Sequence, residues 1–366
     1  MMQPRRILIC TPNWVGDVVM ATAALDAMRR RFAAAHIVHL MRPYVADVLD
    51  GTELCNDRIF WPTGTGRHKE STWRFIRRIR DGAFDAAVLL TNSFRSALAA
   101  RLAGIPRRVG YARDGRGWLL TDRLSPPKLN GRFTPIPALD YYNDVARHLG
   151  CDRVGDRLVL ATTPGDESAV DDRLGDIEAD RPLVVLNPGA NFGSAKCWPA
   201  EKYAAVADRL HDACRARVVA SLAPRERPIA DRLIASARRP IEVFVDPPLG
   251  LGPLKALVRR CRLLITNDTG PRHFAAAFGV PVITIFGSSD PAWTDTRFRL
   301  ERAVKLDLDC QPCMKRTCPL GHHDCMNRLH PDLVATEAER ILAAESDACP
   351  AAGCESPASE NRLQCG

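Results

Sequence analysis

Residues 263–277 constrain the fold of this chain more than any other stretch. Leu263-Leu264-Ile265 is an apolar run of the kind that forms a buried parallel strand, and Thr266-Asn267-Asp268-Thr269-Gly270-Pro271 follows it directly. Asp268 and Thr269 are helix-start residues. Pro271 suits a first helical turn because its missing N–H would be unpaired there anyway. Ala275-Ala276-Ala277 carry the helix on. A strand that runs straight into a helix puts the helix N-terminus at the strand's carboxyl end. Free backbone N–H groups and the positive end of the helix dipole meet there, which suits a phosphate. Gly270 leaves room for a ligand oxygen to approach the backbone, and His273, one turn inside, is placed to face the same ligand. An ordinary capped helix has the same residues, so the rest of the chain must decide.

Strand-like and helical stretches alternate throughout. In the first half, strands are expected over residues 5–11, 37–41, 86–90 and 107–111. A helix over 18–31 presents Ala21, Ala24, Leu25 and Met28 on one face. In the second half, strands are expected over 183–187, 218–222, 241–245, 263–266 and 281–286. Such alternation implies parallel, doubly wound sheets, and 366 residues are enough for two domains with a core each. We expect a first domain over 1–165 and a linker over 166–181, where Thr162-Thr163-Pro164-Gly165-Asp166 breaks the pattern. A second domain over 182–330, a helix over 331–345 and a disordered tail over 346–366 complete the chain. Neither half has Gly-x-Gly-x-x-Gly after its first strand, so a nicotinamide or flavin site has no support.

Lysine and arginine number 51 against 43 aspartates and glutamates, a formal charge of +8. That excess suits an anionic partner such as a nucleotide sugar, a phosphorylated lipid or a negatively charged membrane face. No basic stripe interleaved with aromatics stands out, which argues against nucleic acid. Only four apolar residues follow Arg5-Arg6 before Thr11-Pro12, too few for a signal peptide, and no run spans a bilayer. A cytoplasmic protein with peripheral membrane contact is the expectation. Among 13 cysteines, Cys310, Cys313, Cys318 and Cys325 cluster around His322 and His323. Their density allows a structural zinc. The second pair is spaced too widely for a zinc knuckle, and reduced structural cysteines are the default.

Three segments follow strands and carry distinctive residues. They are Asn13-Trp14-Val15-Gly16-Asp17, then Asn187-Pro188-Gly189-Ala190 with Gly193-Ser194-Ala195-Lys196-Cys197-Trp198-Pro199, then the Asp-Thr-Gly-x-x-His of 268–273. Together they resemble the ADP-heptose:lipopolysaccharide heptosyltransferases. Thr91-Asn92-Ser93-Phe94-Arg95-Ser96-Ala97 and Gly104-Ile105-Pro106-Arg107-Arg108-Val109-Gly110 are most like the type II members. The resemblance implies the GT-B fold, two Rossmann-like α/β domains facing a central cleft, in which the helix over 331–345 is a candidate to return to the first domain. It also implies transfer of heptose with inversion from ADP-heptose, held by the second domain, to a phosphorylated lipopolysaccharide inner core, received by the first. No cofactor is required, and contact with the cytoplasmic face of the inner membrane is implied. A type I or III enzyme, another nucleotide sugar, or a non-catalytic sugar-binding relative are the alternatives.

Inverting transfer needs a base for the acceptor hydroxyl and positive charge for the departing diphosphate. Asp17 is the candidate base, although a carboxylate there also caps a helix starting near Val18. Lys196, on a glycine-flanked loop, is the candidate for the diphosphate. Asn187, Gly189, Thr269, Gly270 and His273 complete the donor side, with Asp268 either on the heptose hydroxyls or fixing the loop. The resemblance also calls for a ribose-binding acid after the next strand. Direct register gives Pro228, and Glu226 stands two residues earlier. Trp14, Asn92, Ser93 and Arg95 are the acceptor candidates. Arg107 and Arg108 offer further donors to phosphate or carboxylate groups.

Overall fold

The computed structural model describes residues 4–63, 70–129, 132–134, 136–175 and 181–348. Six strands build the first sheet: β1 (Arg6–Cys10), β2 (His36–Met41), β3 (Asp57–Phe60), β4 (Ala86–Leu89), β5 (Arg107–Tyr111) and β6 (Asp122–Leu124). Helices α1 (Val15–Arg31), α2 (Thr72–Asp81), α3 (Phe94–Leu102) and α4 (Ala138–His148) cover its faces. A small hairpin, β7 (Lys128–Leu129) and β8 (Arg132–Phe133), precedes α4. The second half runs α5 (Pro164–Leu174), β9 (Leu183–Asn187), α6 (Ala200–Cys214), β10 (Arg217–Ser221), α7 (Arg227–Ser236), β11 (Glu242–Phe244) and α8 (Leu251–Arg260). It continues β12 (Leu263–Asn267), α9 (Gly270–Phe278), β13 (Val282–Ile285), β14 (Glu301–Val304), α10 (Asp324–Asn327) and α11 (Pro331–Ala348).

Both large sheets are parallel and share one topology, β3-β2-β1-β4-β5-β6 and β11-β10-β9-β12-β13-β14. The central strands are buried on both sides because helices lie on both faces, which is why they read as unbroken apolar runs. The edges differ. β3, β6 and β14 carry Asp57-Arg58, Asp122-Arg123 and Glu301-Arg302, charges that blunt an exposed edge, and a search for apolar runs passes over them. In each sheet the strand order reverses beside the first strand, between β1 and β4 and between β9 and β12. Such reversals open a crevice at the carboxyl ends of the strands, the usual place for a ligand.

Several boundaries depart from the sequence expectation. Helix α1 starts at Val15 rather than near Val18, with Trp14 as its N-cap. Most of the expected linker is helix α5: Thr163 and Asp166 form a capping box, so residues that looked like a break are a helix start. Arg260 of α8 grips α5 through Glu167 at 2.6 Å. The last helix does not return to the first half. Val334, Ala335, Ala338 and Leu342 are buried in the second half's core, and Arg209 of α6 pairs with Glu339 at 2.7 Å. Of the expected tail, residues 346–348 complete α11 and 349–366 lie outside the described residues.

One buried lysine ties the halves together near the chain crossing. Lys255 of α8 is fully buried, and its ammonium donates to Val48 O at 3.2 Å, Asp50 O at 3.0 Å and Ala161 O at 2.8 Å. Burial lowers its pKa, while Asp166, Asp50 and Asp47 oppose that shift. Lys255→Met keeps the aliphatic stem and leaves three carbonyls without their donor. It should destabilise the protein by about 1–3 kcal/mol, measured as a lower midpoint of thermal unfolding. An unchanged midpoint would rule out this clamp.

Candidate active site

The candidate residues of both halves sit at the two strand-order reversals. β1 ends at Cys10, and Thr11 to Trp14 lead into α1, whose first turn carries Asp17. Asp17 does not cap this helix. Trp14 holds that position without a side-chain bond, and the Asp17 Oδ1 accepts from the Tyr142 hydroxyl of α4 at 3.1 Å. Burial pushes the Asp17 carboxyl up to about 6. The Tyr142 hydrogen bond and Lys196 act to lower it, and Asp268 acts to raise it. A carboxylate near that value is poised to take a proton close to neutral pH.

On the other side, β9 and β12 end side by side, and their loops are fastened to each other. Thr269 Oγ1 and Thr266 Oγ1 lie 3.1 Å apart, and Thr269 also donates to Asn187 Oδ1 at 3.1 Å. Asn187 in turn donates to Ser221 O at 3.1 Å. Asn267 joins three segments: its amide donates to Pro188 O at 2.7 Å, while its Oδ1 accepts from Trp198 N at 3.2 Å and from Tyr203 at 3.0 Å. These bonds fix the loop that carries Lys196. Thr269 is the N-cap of α9, and Gly270 and Pro271 open the first turn. In that turn Pro271 has no N–H and Arg272 N donates to Thr269 O at 3.3 Å, so Gly270 supplies the N–H that the helix itself does not use.

Lys196 reaches Asp268 Oδ2 at 2.5 Å and Asp268 O at 3.2 Å, and its ammonium lies 4.9 Å from the Phe192 ring centroid. Arg272 holds the other Asp268 oxygen at 2.8 Å and pairs with Glu301 at 2.9 Å. Burial raises the Asp268 carboxyl, but Arg272 and Lys196 outweigh it and hold the group ionised well below the usual range. Asp268 therefore fixes the loop. Glu226 packs against the Gly189 loop. Its carboxylate fills the space a Cβ on Gly189 would occupy, at 2.2 Å, and accepts from Ala223 N at 2.8 Å. A side chain at 189 would force the Glu226 carboxylate to move.

The two helix starts meet across the seam between the halves. A Cβ on Gly270 would stand 2.6 Å from Val15, and one on Gly16 would stand 2.8 Å from the His273 ring. Two glycines, one on each side, let α1 and α9 approach end to end. His273 is buried in this seam, and burial together with Arg272 holds its imidazole neutral. Among the described residues its Nδ1 has no hydrogen-bond partner.

The acceptor candidates divide. Trp14, Ser93 and Arg95 are exposed, the last with its guanidinium 5.2 Å from the Trp61 ring centroid. Asn92 Oδ1 accepts from Tyr141 at 2.8 Å and from Arg116 at 3.3 Å. Arg107 and Arg108 are engaged within the first half. Arg107 pairs with Asp122 of the neighbouring strand at 3.0 Å, and Arg108 caps the carbonyls of Leu119 and Ile105. Both side chains point at the sheet edge, where partners for a charged strand were already present. No sequence motif marks Tyr141, Tyr142 or Arg116. Adjacent tyrosines on α4 bond Asn92 and Asp17 respectively, so one turn of helix links the two candidate positions.

The Tyr142 contact carries a testable sign. Its hydroxyl favours the ionised Asp17, so Tyr142→Phe removes a bond to the carboxylate and raises the pKa further. The acidic limb of kcat/KM should move upward by about one pH unit, the size of a charge-assisted hydrogen bond. A limb that stays in place would show that Tyr142 does not tune Asp17.

Cys310, Cys313, Cys318 and Cys325 are free thiols lining one cavity of about 20 Å³ with His322 and His323. Among the described residues, no three or more His, Cys, Asp or Glu side chains stand together as a set able to hold a metal ion. The segment's visible work is bracing: Arg316 O accepts from Ala195 N at 3.0 Å and would meet a Cβ on Gly193 at 2.3 Å. Met314 N donates to Ser288 O at 2.7 Å. The loop before Lys196 is thus held from below by the cysteine-rich segment.

Two Rossmann-like halves with a carboxylate from one and a cation from the other at their seam define a GT-B glycosyltransferase. Residues 72–323 match glycosyltransferase family 9 (heptosyltransferase), and the chain belongs to that family. It is 27% identical over 352 residues to lipopolysaccharide heptosyltransferase 2 of Escherichia coli strain K12, covering 93% of this chain and 99% of that one. Lipooligosaccharide heptosyltransferase 2 of Campylobacter jejuni is 27% identical over 347 residues, covering 92% and 98%. The solved structure of E. coli ADP-heptose LPS heptosyltransferase II superposes with a TM-score of 0.76 at 25% identity, covering 93% of this chain and 99% of that one.

Proposed function

We propose that this protein moves L-glycero-D-manno-heptose from ADP-heptose to the heptose of a phosphorylated lipopolysaccharide inner core, with inversion. The observation that carries the reading is the meeting of charges at the seam. Asp17 follows Gly16, which packs against His273 of the second half so closely that a Cβ would stand 2.8 Å from its ring, and the charges of Lys196 and Asp268 bear on its carboxyl. In a single displacement the acceptor oxygen attacks the anomeric carbon as the bond to the diphosphate breaks. Asp17 takes the hydroxyl proton, and the bond's electron pair leaves with ADP. Lys196 and the Gly270 N–H at the start of α9 receive the charge that develops on the diphosphate. Glu226 beside Gly189 holds the ribose hydroxyls, Asn187 and Asp268 set the loops, and His273 stays neutral beside the sugar. Trp14, Asn92, Ser93 and Arg95 receive the acceptor. No step in this scheme is assigned to a metal cofactor.

Because the acceptor is lipid-borne, the enzyme works in peripheral contact with the cytoplasmic face of the inner membrane. Among the described residues no helix is long and apolar enough to cross one. ADP release from ADP-heptose, measured with an acceptor that carries one heptose and with one that carries none, tests the assignment. Turnover on the heptose-bearing acceptor alone is expected. Turnover only on the heptose-free acceptor would move the protein to type I, and turnover on neither would point to another donor sugar.

A further inference from the structure

Helices α2 and α3 and the turn Gly117–Leu119 lie next to one another on one face of the first sheet, over a core formed by Phe75, Ile79, Ala97 and Leu119. The outer side of this layer is unusual for a protein surface. Trp73 is 72% exposed, Trp118 58% and Phe94 41%, and the rings of the last two lie tilted against each other with centroids 6.2 Å apart. Arg74, Arg77 and Arg101 are exposed on the same layer and form no ion pair among the described residues. These aromatic and basic residues come from three elements.

We propose that this face is the surface by which the protein seats on an anionic lipid bilayer. Exposed tryptophans place their amphipathic rings at a headgroup boundary, and unpaired arginines are attracted to anionic lipids. Position selects a bilayer over other anionic partners. The layer runs into Ser93 and Phe94 at the carboxyl end of β4, where the acceptor candidates lie. Seating this face on lipid brings the mouth of the cleft to a headgroup, so the inference rests on the lipid-borne acceptor proposed above.

Co-sedimentation of the full chain with vesicles of equimolar phosphatidylcholine and phosphatidylglycerol tests it, against vesicles of phosphatidylcholine alone. Wild type should bind the anionic vesicles and not the neutral ones. Arg74→Glu/Arg77→Glu should weaken binding by on the order of 25-fold or more, since each charge near such a surface is worth roughly fivefold. Trp73→Ala should weaken it as well. Both variants should retain wild-type transfer to a detergent-dispersed acceptor, which also shows that they fold. Equal binding by wild type and variants, or equal binding to both vesicle types, would overturn the proposal. Self-association abolished by Trp73→Ala, with no vesicle binding, would make the face a contact between copies and overturn it too. Loss of vesicle binding in the variants, with no transfer by wild type on any acceptor, would uphold the surface and remove the function.

Discussion

Asn at position 17 should lower kcat by between about 10²- and 10⁴-fold, the range for losing a positioned general base, with little change in affinity for ADP. Asp17→Asn keeps the shape and can still accept from Tyr142, so the change is confined to charge and basicity. ADP binding by calorimetry separates the two quantities. Near-normal turnover would remove Asp17 from the chemistry, and lost ADP affinity would make it a donor-site residue instead. The wild-type pH profile follows from the same group. Burial holds its pKa at about 6, so the required carboxylate is present above that pH and disappears as pH falls through it. The rate kcat/KM should therefore fall on the acid side of about 6. That is roughly two units above where an ordinary exposed aspartate would place the limb.

The second large effect belongs to Lys196. Lys196→Ala should reduce kcat by about 10²- to 10³-fold if the ammonium meets charge that develops in the transition state. Because Arg272 still pairs with Asp268 at 2.8 Å, the carboxylate is not abandoned and the fold should survive. Two readouts separate charge from scaffolding. Lys196→Arg should recover part of the rate. In Lys196→Ala the acid limb should also move upward, because Lys196 now acts to hold the Asp17 carboxyl down. A near-normal kcat in Lys196→Ala would exclude this role.

The sheets were legible because parallel strands covered on both faces must be apolar throughout, as β9 and β12 are. The site was legible where chemistry and backbone geometry coincide, in a glycine beside a carboxylate at 16–17 and a helix start after a strand at 268–270. What failed has physical reasons. β3, β6 and β14 are edge strands whose charges disguise them. Residues 163–166 read as a break because a capping box uses the same residue types as a turn. Arg107 and Arg108 looked free because their partners, Asp122 and the carbonyls of Ile105 and Leu119, are brought to them only by the sheet and its connections. Tyr142 reaches the site from a helix that no motif marks. Asn267 and Arg272 lie inside the 266–273 stretch, but the residues they hold, Trp198, Tyr203 and Glu301, come from distant segments.

The measurement that bears most directly on this account is the configuration of the new linkage. Transfer from ADP-L-glycero-β-D-manno-heptose to a heptose-bearing acceptor would be followed by NMR of the anomeric proton and carbon, with released ADP counted alongside. A single displacement at this seam gives an α-linked heptose and one ADP for each linkage formed. A β-linked product, or ADP released without acceptor at the same rate, would contradict it.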